Sequence, residues 1–235
     1  MTSGGATASR VAVFASGGGS NLGAMLEHGE RLGATRASDI VLVVSGRDTA
    51  GALARARERG IATTVIPASD SGPLLGALRD HHVDLVVLAG YLSLVPDAVT
   101  ARYAGRMLNV HPALLPAFGG HGLYGHRVHR AVLDAGARVS GATVHFVDAQ
   151  YDRGPIIAQW PVPVCPDDTP EMLAKRVLRV EHLLLPRAVE AVARGSLTLG
   201  DDGRVHGLCA AADSAFTLSQ LDDSSLATRI DALFS

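Results

Sequence analysis

Cysteine is nearly absent from this 235-residue chain, which carries only Cys165 and Cys209. They lie far apart without CxxC spacing, which excludes a disulfide framework or a zinc cluster and suits a reducing compartment. Neither sign of charge is in excess. The 21 Lys and Arg face 23 Asp and Glu, a formal charge of −2, so no global field draws the protein to nucleic acid or to an anionic membrane. Neither is expected as a partner, and any bound anion must be held by a local site. No apolar run approaches the roughly 18 residues of a membrane span. The opening MTSGGATASR has no apolar h-region, so a cytoplasmic location is expected. Internal repeats, low-complexity tracts and an interior Gly/Pro/Ser linker are also missing. That predicts one domain over residues 1–206, followed by an Ala/Ser/Asp-rich extension over 207–235 of unassigned role, either docked as a short helix or loose.

What the chain has in quantity is hydrophobic residues, 47% of the total, enough for a sizeable core. They fall into short β-branched or apolar runs: VAVFA (11–15), IVLVVS (40–45), TTVIP (63–67), DLVVLAG (84–90), MLNV (107–110), GATVHFV (141–147) and PIIAQWPVPV (155–164). Helix-like segments at 21–29, 50–59 and 73–81 separate the first four. Apolar strands alternating with helices predict an α/β fold, a Rossmann-like and mostly parallel sheet covered on both faces by helices. After residue 140 the strands alternate polar and apolar positions and follow one another without a long helix, which predicts an antiparallel C-terminal edge. A long amphipathic helix is expected over 170–194, with Thr169 as its N-cap and Gly195 as its stop.

Three stretches carry chemical character. SGGGSN, 16–21, stands where the first strand gives way to the first helix. Glycines there admit a ligand close to the backbone, and the free N–H groups of a helix N-terminus favour a phosphate or carboxylate. The stretch is neither GxGxxG nor a lysine-containing Walker loop, so a single phosphate monoester fits better than a dinucleotide or a triphosphate. LNVHPALLP, 108–116, places Asn109 and His111 on one side of a strand at its carboxyl end, where open α/β sheets bind ligands. An amide and an imidazolium converging there form an oxyanion hole, and the histidine can also carry a proton. DAQYDRGPII, 148–157, offers Asp148 and Asp152, either of which could orient His111 and favour its charged form; spacing alone does not choose between them. Each stretch also has an ordinary reading, as a capped βα turn, a histidine at a proline-rich turn, and turn aspartates. His121, His126 and His129 match no standard zinc spacing and have no acidic ligand among them, so no metal is expected.

SGGGSNL, LAGYLSLV (88–95), LNVHPALLP, VHFVDAQYDRGPII (144–157) and RVLRVEH (176–182), in this order and spacing, resemble the phosphoribosylglycinamide formyltransferase family of folate-dependent enzymes over roughly residues 10–205. The resemblance implies the formyltransferase fold. It also implies 10-formyltetrahydrofolate as co-substrate, glycinamide ribonucleotide as acceptor in de novo purine biosynthesis, and no metal. It makes Asn109, His111 and Asp152 catalytic and His145 a supporting residue. Gly19, Ser20, Asn21, Arg179 and Glu181 are assigned to the ribonucleotide. Leu92, Ser93, Leu94 and Val95, together with Asn109 and the loop Asp148, Ala149, Gln150, Tyr151 and Asp152, are assigned to the folate. The chain departs from the family at Ser93, where many members carry an arginine, and in ASDSGPLLGALRD (68–80), which offers no counterpart to another. Arg153 is expected to compensate from across the cleft. The stretch 117–129 is longer than the common loop. A folate hydrolase or a non-catalytic relative are the competing expectations.

Overall fold

The structure is a computed structural model that describes residues 7–207 and 223–234. The first ten residues lie partly outside the described residues, and Cys209 and the segment 208–222 lie wholly outside them.

Seven strands form one sheet in the order β3-β2-β1-β4-β5-β6-β7. They are β1 (Ser9–Phe14), β2 (Ser38–Ser45), β3 (Ala62–Val65), β4 (Leu85–Leu88), β5 (Met107–His111), β6 (Val139–Phe146) and β7 (Ile156–Pro163). The first five pair in parallel, whereas β6 runs antiparallel to β5 and β7 antiparallel to β6. The expected mostly parallel sheet with an antiparallel edge is what forms. Its physical cause is visible in β1. Val11 and Val13 point into one core cluster and Ala12 and Phe14 into the other, because successive strand residues face opposite sides. A strand buried on both faces must be apolar throughout, and all four residues are fully buried.

Helices cover both faces. They are α1 (Ser20–Leu32), α2 (Gly51–Arg57), α3 (Ser71–Asp80), α4 (Asp97–Arg102), α5 (His126–Asp134), α6 (Pro170–Ala193) and α7 (Asp223–Asp231). Of these, α1 runs through Gly29, whose neighbours are good helix formers, and stops only at Gly33 with φ 54°. The helices α4 and α5 were not expected. The first is six residues long, too short for a periodic signal. The second begins inside the stretch read as an extended loop, and its Val128, His129 and Val132 form a narrow buried stripe. The cap of α6 is as expected: the Thr169 hydroxyl accepts from Met172 N at 3.3 Å, Pro170 follows, and Gly195 adopts φ 74° beyond the end. A two-stranded ribbon, β8 (Thr198–Leu199) with β9 (Val205–His206), follows α6.

The described part of the C-terminal extension is docked. Leu226 and Ile230 of α7 are buried in the core cluster that α6 shares with the sheet, and Asp231 pairs with Arg187 of α6. Because β1 sits between β2 and β4, the chain winds in opposite directions on either side of it. The loops leaving the carboxyl ends of β1, β4 and β5 then open onto one crevice, the place where such sheets hold ligands.

Candidate active site

The crevice is a cleft of about 700 Å³. At its centre, Asn109 and His111 project from the end of β5 on the same side, while Leu108 and Val110, which alternate with them, fill the core. The antiparallel register sets Asn109 opposite His145 of β6, and Asn109 Nδ2 lies 3.0 Å from His145 Nε2. His145 Nδ1 lies 2.7 Å from the Phe146 carbonyl, so that nitrogen carries a proton, while Nε2 faces both the Asn109 amide and, at 3.7 Å, Asp152 Oδ1. Asn109 Nδ2 also reaches Asp152 Oδ1 at 3.4 Å.

Asp152 arrives from the loop between β6 and β7 with φ 53°, a left-handed conformation that aspartate tolerates better than most residues. Its Oδ2 accepts from Gly120 N at 2.9 Å and stands 3.5 Å from His111 Nδ1. The glycine of the DRGP motif has a steric reason. A Cβ on Gly154 would overlap the Phe146 carbonyl oxygen, so only glycine lets the chain pass β6 closely enough to deliver Asp152. Asp148, the other candidate carboxylate, closes its own turn by accepting from Gln150 N at 2.8 Å and lines the cleft further out. The geometry thus brings Asp152, and not Asp148, to His111.

Both nitrogens of His111 face oxygen acceptors, since Nε2 is 2.9 Å from the Phe118 carbonyl. Burial nevertheless pulls its pKa below the ordinary histidine value, against the upward pull of the Asp152 charge and the Phe118 carbonyl. This corrects the expectation that Asp152 keeps the ring charged. At 3% exposure the desolvation cost outweighs one carboxylate at 3.5 Å. Asp152 is shifted the other way. Burial raises its pKa, but the His145 and His111 rings and the Gly120 N–H together hold it below the ordinary carboxylate range.

One end of the cleft is Asn21, the last residue of SGGGSN, while Gly19 and Ser20 before it do not themselves line the cleft. Gly19 has φ 74°, and a Cβ there would stand 2.8 Å from Ala52 Cα. The first intrahelical bond of α1 runs from Gly23 N to Gly19 O, and no side chain caps the helix. The N–H groups of Ser20, Asn21 and Leu22 therefore have no partner within the helix, and they bear its positive dipole end. Asn21 Nδ2 donates to Glu181 Oε2 of α6 at 2.7 Å, and both residues line the cleft. Burial pushes the Glu181 carboxyl up to about 7 even though this hydrogen bond favours the charged form. Asn21 Oδ1 is buried without a hydrogen-bond partner among the described residues.

The other end has walls suited to a flat heteroaromatic ring with a polar rim. Leu92 and Leu94 remain 42% and 44% exposed although apolar, beside Ser93 and Val95. Leu92 N is drawn to Ser16 Oγ at 3.1 Å, which ties this wall to the loop after β1. Gln150 and Tyr151 line the facing side. Ala149 belongs to the same turn but is exposed and does not line the cleft. Arg179 and Arg153 are not brought to the site either. Arg179, two residues from Glu181 on α6, is exposed and does not line the cleft. Arg153 is likewise exposed outside it, next to a glycine whose tight passage fixes the chain direction. His121 packs on Tyr151 with ring centroids 5.5 Å apart, and His126 stands 3.9 Å from Glu171.

Several lining residues were missed from sequence. His129 of α5 is buried beside the cleft, and burial together with His126 and His111 lowers its pKa to about 4. Gly120 N and Phe118 O are backbone groups, invisible to a search by side-chain type. Lys175 did leave a signal, as the one lysine in the chain.

A sequence profile described as formyl transferase matches residues 9–189. The chain belongs to the formyl transferase family. Within that family it is 46% identical over 202 residues to a chloroplastic phosphoribosylglycinamide formyltransferase of Arabidopsis thaliana, a match covering 83% of this chain and 68% of that protein. The crystal structure of phosphoribosylglycinamide formyltransferase from Anaplasma phagocytophilum superposes with a TM-score of 0.77 at 36% identity, covering 88% of this chain and 97% of that one. A formyltetrahydrofolate deformylase from Pseudomonas syringae pv. tomato gives a TM-score of 0.75 at 26% identity, covering 85% and 66%. The fold is thus shared by a protein named as a formyltransferase and one named as a deformylase, and fold alone does not choose between the two activities.

Proposed function

We propose that this enzyme transfers the formyl group of 10-formyltetrahydrofolate to the amine of glycinamide ribonucleotide in de novo purine biosynthesis. The observation that carries the reading is that one cleft joins the Asn109, His111 and Asp152 cluster to Asn21, in the uncapped first turn of α1, and its partner Glu181. The first can run acyl transfer, and the second suits the phosphate and ribose of an amine substrate that a water-using hydrolase has no need to hold.

In this reading the pterin lies between the Leu92–Val95 wall and the 148–152 loop, while the phosphate lies on Gly19, Ser20 and Asn21. The attacking nitrogen forms a bond to the formyl carbon, and the carbonyl electron pair moves onto oxygen. Asn109 and His111 stabilise that charge, a contribution of about 3–4 kcal/mol per donor in comparable sites. The long Asn109 to Asp152 contact and the His111 to Phe118 carbonyl contact are the bonds given up to do so. Asp152 accepts the proton lost by the amine, through water, and passes it to His111 Nδ1 across their contact, and the imidazolium so formed protonates N10 as the carbon–nitrogen bond breaks. A His111 pKa lowered by burial makes the ring a readier proton donor once charged. Neither a metal nor a covalent enzyme intermediate is needed by this sequence of steps.

We also propose that residues 1–206 form the formyltransferase domain, with 207–235 as an extension, and that the protein is cytoplasmic. Among the described residues Cys165 forms no disulfide, which fits a reducing compartment. Among the described residues no helix is long and apolar enough to cross a membrane.

The test is to mix the protein with 10-formyltetrahydrofolate and follow the deformylated folate by absorbance, with and without glycinamide ribonucleotide. Turnover that depends on the amine supports transfer. Turnover without it supports hydrolysis, and no turnover in either case supports a binding role.

A further inference from the structure

A dianionic phosphate at the end of α1 needs more than a helix dipole, and a chain of net charge −2 supplies no general attraction. The cations of α6 have very different fates. Arg176 is held by Asp168 through bonds of 2.6 and 2.9 Å and by the Pro163 carbonyl. Arg179 does not line the cleft. Lys175 lines it. The natural partner of Lys175, Glu171 at i−4 on the same helix, stands 3.9 Å from His126 instead, and Lys175 makes no hydrogen bond or ion pair among the described residues.

Lys175 is also chemically singular. It is the only lysine in 235 residues, although Lys and Arg together number 21. Arginine is a planar fork that locks into one geometry, whereas an ammonium on a four-carbon stem is a mobile point charge that can follow a ligand. A residue six positions before Glu181 lies about 9 Å from it along the helix axis. The two side chains leave the helix about 120° apart, yet both line the cleft, and the partner of Glu181, Asn21, belongs to the loop at the α1 N-terminus.

We propose that Lys175 is a substrate-binding residue whose ammonium closes over the phosphate of the amine substrate from the side opposite the α1 N-terminus. The cation thus comes from one helical turn nearer the start of α6 than the RVLRVEH motif suggests. The proposal rests on the ribonucleotide reading for the identity of the substrate, but not for the presence of an anion site.

Because the lysine is unique, its side chain can be titrated by name. Limited acetylation with an N-hydroxysuccinimide ester, followed by peptide mass mapping, reads one lysine address in the whole protein. Inorganic phosphate and ribose 5-phosphate are expected to slow acetylation of Lys175 several-fold, and folate monoglutamate alone is not. In steady-state kinetics, Lys175→Ala is expected to raise KM for glycinamide ribonucleotide about tenfold while leaving kcat and the KM for formyl folate near their original values, with Lys175→Arg recovering part of the loss. Unchanged acetylation in both phosphate compounds overturns the proposal. So does a rise confined to the folate KM, which assigns the ammonium to the carboxylate tail of that co-substrate. Protection by phosphate in a protein that shows no amine-dependent turnover upholds the anion site while removing the ribonucleotide reading.

Discussion

His111 Nδ1 and Asp152 Oδ2 lie 3.5 Å apart although one ends a strand and the other sits in a loop two elements later. The contact is longer than a formed hydrogen bond and both groups are mostly buried, which is the arrangement of a pair that tightens when charge develops between them. Asp152→Asn keeps the shape and removes the charge. His111→Ala removes the proton carrier. Each is expected to lower kcat by about 10²–10⁴ with a much smaller change in either KM, measured by steady-state turnover. Near-normal kcat in both variants rules out this pair as the proton-transfer machinery.

Glu181 links the site to pH. Its carboxyl titrates at about 7 in the folded protein against an ordinary 4.5. Between those values the unfolded chain has released the proton and the folded one has not, so the unliganded protein loses stability as pH rises through this window and stays at the lower level above it. The effect is on the order of 3 kcal/mol at most. Glu181→Gln preserves an acceptor for Asn21 and abolishes the titration. Urea melts of the unliganded proteins at pH 5 and pH 8 are expected to show the variant gaining stability relative to the parent only at the higher pH. An equal difference at both values contradicts the assignment.

Much of this was readable in advance, for reasons that differ from place to place. The strands of the parallel sheet are apolar on both faces, so each announced itself as a run, and the order of β1, β4 and β5 then fixed where their loops open. Asn109 and His111 were legible because a period of two is the property of a strand. The choice of Asp152 over Asp148 was not available from spacing. It depends on a left-handed turn and on Gly154 passing under Phe146, which are tertiary facts. Helix α5 was hidden because only one narrow stripe of it is buried and its start is rich in glycine and histidine. Arg179 was placed by motif, and a motif does not show which exposed side chains of a helix line the cleft.

Gly154 offers a test of that tertiary argument. Gly154→Ala puts a methyl group into the Phe146 carbonyl, which rigid backbone on both sides cannot easily accommodate. A stability loss of at least about 2 kcal/mol is expected. A larger proportional loss of kcat should accompany it, because the same shift moves Asp152 away from His111. Thermal melting and turnover measured on one preparation separate the two effects. A variant that melts normally and turns over normally shows that the close passage is not what positions the carboxylate.

The C-terminal extension provides the remaining prediction. Ile230 is fully buried and Leu226 is 6% exposed, both within the core cluster that includes Leu184, Leu185 and Val189 of α6. Side chains buried to that degree stabilise the element they join as well as the one they cover. Ile230→Ala is expected to cost about 2–4 kcal/mol, read from urea or thermal unfolding. The cleft is lined by the other half of α6, from Glu171 to Glu181, so kcat in the folded variant should be unchanged. Deleting residues 208–235 should lower the melting temperature in the same way, since it uncovers the same apolar surface. If deletion leaves the melting temperature where it was, α7 adds nothing to the fold and the domain ends at the β8–β9 ribbon. If it lowers the melting temperature, the extension is part of the domain's core although it lies beyond the segment matched by the family.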